Sequence, residues 1–166
     1  MMTDVLPDPV LSKARTVLDV LKTAELMVVT AESCTGGLVA GALTHHPGSS
    51  SAVAGGFVTY SNSMKQTCLG VPADFFPRWG AVSEQVAQAM VEGALAHARE
   101  ADIAVSLTGI AGPDGGSATK PVGLVWFGVQ RRGRQALTQE RVFTGNRTSV
   151  RAQAVLHALE MVQAAV

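Results

Sequence analysis

Charge, aromatic rings, cysteine and long apolar runs are all scarce in this chain, and each scarcity removes a class of function. Charged residues make up 16% of the 166 residues, and the formal net charge is zero. A chain without a field of one sign has no long-range attraction for nucleic acid or for an anionic membrane surface. Aromatic residues amount to 5%, too few for the stacking platforms that hold single strands. No apolar run is long enough to span a bilayer. The N-terminal stretch MMTDVLPDPVLSKAR is acidic before it is basic and has no signal-type apolar core, so the expected compartment is the cytoplasm. The two cysteines, Cys34 and Cys68, do not form a Cys-x-x-Cys pair, and in a reducing compartment no disulfide is expected between them. No Cys/His cluster has ligand spacing, and Glu32 and Asp114 alone are a thin donor set, so neither a metal nor a cofactor is expected.

What the chain does have is apolar surface to bury. Hydrophobic residues make up 47%, and the length suffices for one domain with a substantial core. There are no internal repeats and no interdomain linker, so residues 1–166 are expected to form a single domain. Val10 to Leu21 has apolar residues at helical spacing, with Pro9 suited to an early helix position. Leu26 to Ala31 reads as a buried strand. Ala52 to Tyr60 reads as a second strand, whose internal glycine pair implies a bulge or a close backbone approach. Ser61 or Asn62 caps a short helix through Lys65 to Leu69, ended by Gly70. Pro72 to Gly80 is expected to be irregular, with its aromatics tucked against the body. Ser83 caps a long helix. Ile103 to Leu107 is a third strand and Gly123 to Gln130 a fourth. Arg131 to Arg134 turns into a fifth strand near Ala136 to Phe143, and Asn146 caps a last helix. Alternating helices and strands with a late hairpin predict an α/β fold, a three-layer α/β/α sandwich with a mixed sheet of about five strands.

The organising stretch is TAESCTGGLVAG, residues 30–41. A strand runs into Ser33, Cys34, Thr35, Gly36 and Gly37, and a helix follows. A helix start presents unpaired N–H groups, and glycines let a ligand approach the backbone. One reading makes Ser33 or Thr35 a simple helix cap. The other places a nucleophile, the Ser33 hydroxyl or the Cys34 thiol, beside oxyanion donors from the N–H groups of Thr35 to Gly37. Three further segments bring polar groups to element ends: Tyr60 to Lys65, the loop Thr108 to Ser117 with Lys120, and Gly145 to Arg147. A serine nucleophile needs a base. The four histidines are poorly placed: His45 and His46 lie at a helix end, and His97 and His157 lie within helices. Lys65, flanked by Met64 and Leu69, is either a solvated helix lysine or a base with a lowered pKa. The glycine-rich loop lacks the Gly-Lys-Ser/Thr ending of a phosphate-binding Walker motif. It is either a tight turn or a backbone nest for an anion. Arg147, at a helix start, is either a surface arginine or a fork for phosphate.

Taken in order, the strings AESCTGG (31–37), PGSS (47–50), Thr59 to Lys65, LGV (69–71), GAVSE (80–84), TGIAGPDGG (108–116) and KPVG (120–123) resemble the CinA C-terminal domain family, the bacterial nicotinamide mononucleotide deamidases. The resemblance runs from Val10 to the last helix, and the chain is similar to the stand-alone form of the family. It implies a three-layer α/β/α sandwich and hydrolysis of the carboxamide of nicotinamide mononucleotide, without a metal. It implies Ser33 as nucleophile, Lys65 as general base, and Tyr60 as a group that positions or relays the proton. Thr35, Gly36, Gly37, Thr108, Gly109, Gly112, Gly115 and Arg147 are the expected substrate-binding positions, with the phosphate on the Gly109 loop and Arg147. The expected partner is the small-molecule substrate, with no nucleic acid and no membrane, and the apolar helices imply a homodimer. The chain departs from the family at Asn146, where aspartate is common, and at Thr119, where glutamate often precedes the lysine. The competing reading is a regulatory module that binds nucleotide without turnover; retention of both Ser33 and Lys65 favours the enzyme.

Overall fold

The computed structural model describes residues 6–166; the start of the segment read above for a signal sequence, residues 1–5, lies outside it. Five strands form one sheet in the order β2-β1-β3-β4-β5: β1 (Val28–Glu32), β2 (Val53–Val58), β3 (Ile103–Gly109), β4 (Leu124–Arg131) and β5 (Leu137–Val142). The first three are parallel, and β4 and β5 are antiparallel additions. The helices are α1 (Asp8–Thr23), α2 (Leu38–Thr44), α3 (Asn62–Leu69), α4 (Phe75–Trp79), α5 (Glu84–His97) and α6 (Arg147–Ala165).

Alternation along the strands feeds two cores. Ile103, Val105, Leu107, Val125, Phe127 and Val129 face α1, α2 and α6. Val29, Ala31 and Ala104 face α5 and the elements beside it. The apolar stripe expected on α1 is wholly buried, from Val10 to Leu21. Each fully buried leucine or valine of this kind contributes about 1.5–3 kcal/mol relative to exposure. The glycine pair in β2 does what strand glycines imply: the register shifts near Val28, and a Cβ at Gly56 would sit 2.5 Å from Thr30 Oγ1.

One local expectation is corrected. Pro72 to Gly80 is not wholly irregular, because Phe75–Trp79 forms the short helix α4. Pro77 falls in its first turn, where the missing N–H has no intrahelical partner to lose. Of the two residues offered as the α3 cap, Ser61 takes the position, its hydroxyl accepting from the Met64 N–H. No helix among the described residues is long and apolar enough to cross a membrane.

Glu32 pairs with Val58 on one side and Leu107 on the other, so the carboxyl ends of β1, β2 and β3 lie together. The residues that follow them are Ser33, Thr59-Tyr60 and the glycine-rich loop. Crevices at the carboxyl ends of parallel strands are where open α/β sheets bind ligands.

Candidate active site

The turn after β1 is held from below by a carboxylate. Glu32 is fully buried. It accepts from the N–H groups of Gly37, Val39 and Ala40 and from the Thr35 hydroxyl, at 2.8–3.1 Å. These are the orphan donors of the α2 N-terminus, where negative charge is favoured by the helix dipole. Neither Ser33 nor Thr35 caps α2. The cap position is Gly37, with φ of 96°, and no side chain there bonds to the helix. The capping function has moved back to Glu32 because two successive glycines at positive φ fold the turn over it.

Freed from capping, the Ser33 hydroxyl lies 2.9 Å from Lys65 Nζ. Helix α3 brings the lysine there: Ser61 caps it, and Gly70 closes it with a positive φ. Lys65 is 1% exposed. Its Nζ also donates to the Thr59 carbonyl at 2.8 Å and the Tyr60 carbonyl at 3.2 Å. Among the described residues no carboxylate pairs with it. Burial therefore disfavours the ammonium and lowers the pKa from 10.5 to about 8. At pH 7 about a tenth of the molecules then hold a neutral amine, against less than ~0.1% for an ordinary lysine.

Burial acts on Cys34 in the opposite functional sense. Desolvation raises its thiol to about 11, so at neutral pH it carries no thiolate and is not a competing nucleophile. The histidines lie elsewhere: His46 bonds to the Leu11 carbonyl, His97 to the Gly93 carbonyl, and His157 faces Gln139 and Glu160.

A cavity of about 190 Å³ surrounds the pair. Ser33, Lys65, Tyr60, Thr108, Gly109 and Arg147 all line it, with Cys34, Asn62, Ala81, Val82 and Ala111. Larger grooves exist, among them one of about 500 Å³ along α5; where a serine shares one with His46 or Lys120, the histidine and the lysine bond to backbone carbonyls and not to the serine hydroxyl. Thr108 is spent on structure, its hydroxyl donating to the Ala81 carbonyl at 2.8 Å. Arg147 opens α6. Its guanidinium donates to the Gly112 carbonyl at 2.9 Å and reaches the Tyr60 hydroxyl at 3.4 Å.

The remaining expected positions lie outside the cavity lining. Thr35 is fully buried and its hydroxyl is given to Glu32. The Gly36 N–H donates to the Ser33 carbonyl and the Gly37 N–H to Glu32, so neither is free for an oxyanion. Gly112 and Gly115 take positive φ and shape the loop behind the lining. Tyr60 supports Lys65 through its carbonyl; its hydroxyl faces Arg147, not the lysine. Among the described residues, the turn N–H groups without a protein acceptor are those of Cys34 and Thr35. Sequence reasoning missed Glu32 as the cap and Arg151 altogether. Arg151 Nε donates to the Cys34 carbonyl at 3.1 Å, and Nη2 to the Thr35 carbonyl at 3.2 Å. Only its place one helical turn after Arg147 could have drawn attention to it.

A parallel-strand crevice, a serine on a sharp turn and a buried lysine thus lie together at one end of the sheet. The CinA C-terminal domain family matches residues 11–166, and the chain belongs to that family. It is 52% identical over 140 residues to the nicotinamide-nucleotide amidohydrolase PncC of Enterobacter agglomerans, covering 84% of this chain and 85% of that one. It is 47% identical over 153 residues to the protein of the same name from Pseudomonas putida, covering 92% and 94%. The crystal structure of the competence/damage inducible protein CihA from Agrobacterium tumefaciens superposes with a TM-score of 0.93, at 47% identity and 98% coverage of both chains.

Proposed function

We propose that this chain is a nicotinamide-nucleotide amidohydrolase that converts nicotinamide mononucleotide and water to nicotinate mononucleotide and ammonia, with Ser33 as nucleophile and Lys65 as base. The observation that carries the reading is the 2.9 Å approach of a buried, unpaired lysine to a serine hydroxyl inside the cavity. Relatives at about half identity bear the amidohydrolase name. A module that only binds nucleotide has no use for a lysine held where its charge is disfavoured.

The neutral Lys65 amine donates to the Thr59 and Tyr60 carbonyls. Its lone pair is left to accept the Ser33 hydroxyl. As Ser33 Oγ bonds to the carboxamide carbon, its proton passes to Nζ, and the carbonyl electron pair moves onto oxygen. The Cys34 N–H, next to the nucleophile and without a protein acceptor, is the donor for that oxyanion. The Lys65 ammonium then protonates the amide nitrogen, the C–N bond breaks, and ammonia leaves a nicotinyl ester on Ser33. Water attacks the ester with Lys65 again taking the proton, and Ser33 recovers its hydrogen as nicotinate departs.

The apolar wall of Ala81, Val82 and Ala111 suits the pyridine ring. Ribose and phosphate then extend toward the mouth, where Arg147 offers a fork donor. Ammonia release from nicotinamide mononucleotide by the purified protein, abolished by Ser33→Ala, tests the reading. A folded wild-type protein that releases none contradicts it.

A further inference from the structure

The carbonyls of Ser33, Cys34 and Thr35 each have a donor. Ser33 C=O accepts from the Gly36 N–H at 3.0 Å, and Thr35 C=O from the Leu38 N–H at 3.2 Å. Cys34 C=O has Arg151 Nε, and Thr35 C=O takes Arg151 Nη2 as a second donor. Arg151 stands on α6, far from the turn in sequence. In a planar trans peptide the C=O and the following N–H point in opposite directions. Holding the Ser33 carbonyl therefore sets the direction of the Cys34 N–H. Holding the Cys34 carbonyl sets that of the Thr35 N–H. These are the two turn N–H groups left without an acceptor. A single guanidinium thus fixes two successive peptide planes, Cys34–Thr35 and Thr35–Gly36, and the second carries the Gly36 N–H that holds the Ser33 carbonyl. Glu32 fixes the far end of the same turn through Thr35, Gly37, Val39 and Ala40.

We infer that Arg151 is a positioning residue: from outside the cavity it holds the turn so that the Gly36 N–H keeps the Ser33 carbonyl in place and the Cys34 N–H faces the developing oxyanion when Ser33 attacks. The inference rests on Ser33 being the nucleophile, as proposed above. Arg151 is absent from the cavity lining, so its removal leaves the substrate contacts in place. It acts on the transition state and not on ground-state binding, so its loss appears in kcat and leaves KM unchanged.

The test uses a reagent indifferent to the natural substrate. With an alkyl fluorophosphonate, Ser33 Oγ bonds to phosphorus, fluoride leaves and Lys65 takes the serine proton, so the rate reads the nucleophile and its oxyanion donors together. Intact-mass spectrometry follows the adduct in wild type, Arg151→Met and Arg151→Lys. Arg151→Met keeps the aliphatic length and removes every donor. It should label about ten- to a hundredfold more slowly, with the pH midpoint of labelling, set by Lys65, where wild type has it. Arg151→Lys keeps one donor and the charge, so it should fall between the two, and it carries the test if Arg151→Met does not fold. A residue that merely ties α6 to the body lowers the melting temperature but leaves the labelling rate of the folded protein alone. Folded variants labelled as fast as wild type overturn the inference. Ammonia release from nicotinamide mononucleotide is measured on the same proteins. Slowed labelling in the variants, with no ammonia released even by wild type, supports the role of Arg151 and contradicts the proposed substrate.

Discussion

Arg147 donates to the Gly112 carbonyl at 2.9 Å, so the first turn of α6 and the glycine-rich loop meet at the cavity mouth. One guanidinium edge is thereby anchored, and the other reaches only the Tyr60 hydroxyl, at 3.4 Å. An arginine held this way at a helix start is poised for an anion. Arg147→Ala should raise KM for nicotinamide mononucleotide by about tenfold or more, the loss expected for a charged hydrogen bond. The riboside lacks the phosphate, and its KM should change much less. Equal effects on the two substrates remove Arg147 from phosphate recognition.

Glu32 is a structural keystone of the turn. Glu32→Ala leaves the Gly37, Val39 and Ala40 N–H groups without their acceptor. Their desolvation should cost about 2–4 kcal/mol in stability, read from urea denaturation. Glu32→Gln keeps one acceptor oxygen and should cost less. A Glu32→Ala protein within about 0.5 kcal/mol of wild type would show that water satisfies those donors.

The fold was largely legible because its signals are local and periodic. The α1 stripe, the β-branched strands, Ser83 and Asn146 at helix starts, and Gly70 at a helix end all say what they do without distant partners. The α4 helix was hidden because Pro77 reads as a breaker unless its place in the first turn is known. The site was legible in part. Ser33 and Lys65 stand out by motif, but only the tertiary structure shows that α3 buries the lysine and turns it toward the serine. Gly36 and Gly37 drop out as oxyanion donors for the same reason: which N–H groups of a turn are free depends on where its carbonyls and Glu32 point. Arg151 left no sequence signal beyond its spacing from Arg147, because its two acceptors are backbone carbonyls more than a hundred residues away.

The depressed lysine pKa also makes a statement about stability. The folded value of about 8 lies below the value of 10.5 expected for the unfolded chain. Between those limits the unfolded state binds more protons, so Lys65 makes the protein more stable as pH rises from about 8 to about 10.5. Below that window the buried lysine imposes its full cost. The stability of wild type relative to Lys65→Met should therefore improve across the window by an amount on the order of 3 kcal/mol. A difference independent of pH there would mean that Lys65 keeps its proton in the fold.

The most direct test of the account is ammonia release from nicotinamide mononucleotide as a function of pH, in wild type and in Lys65→Arg. The free enzyme must lose a proton from Lys65 before Ser33 can attack, so kcat/KM for wild type should rise with pH and level off above about 8. A guanidinium does not deprotonate in proteins, so Lys65→Arg should lose activity by about a thousandfold or more at every pH. A folded Lys65→Arg protein that binds substrate and keeps most of its turnover would contradict the account, because some other group would then be taking the serine proton.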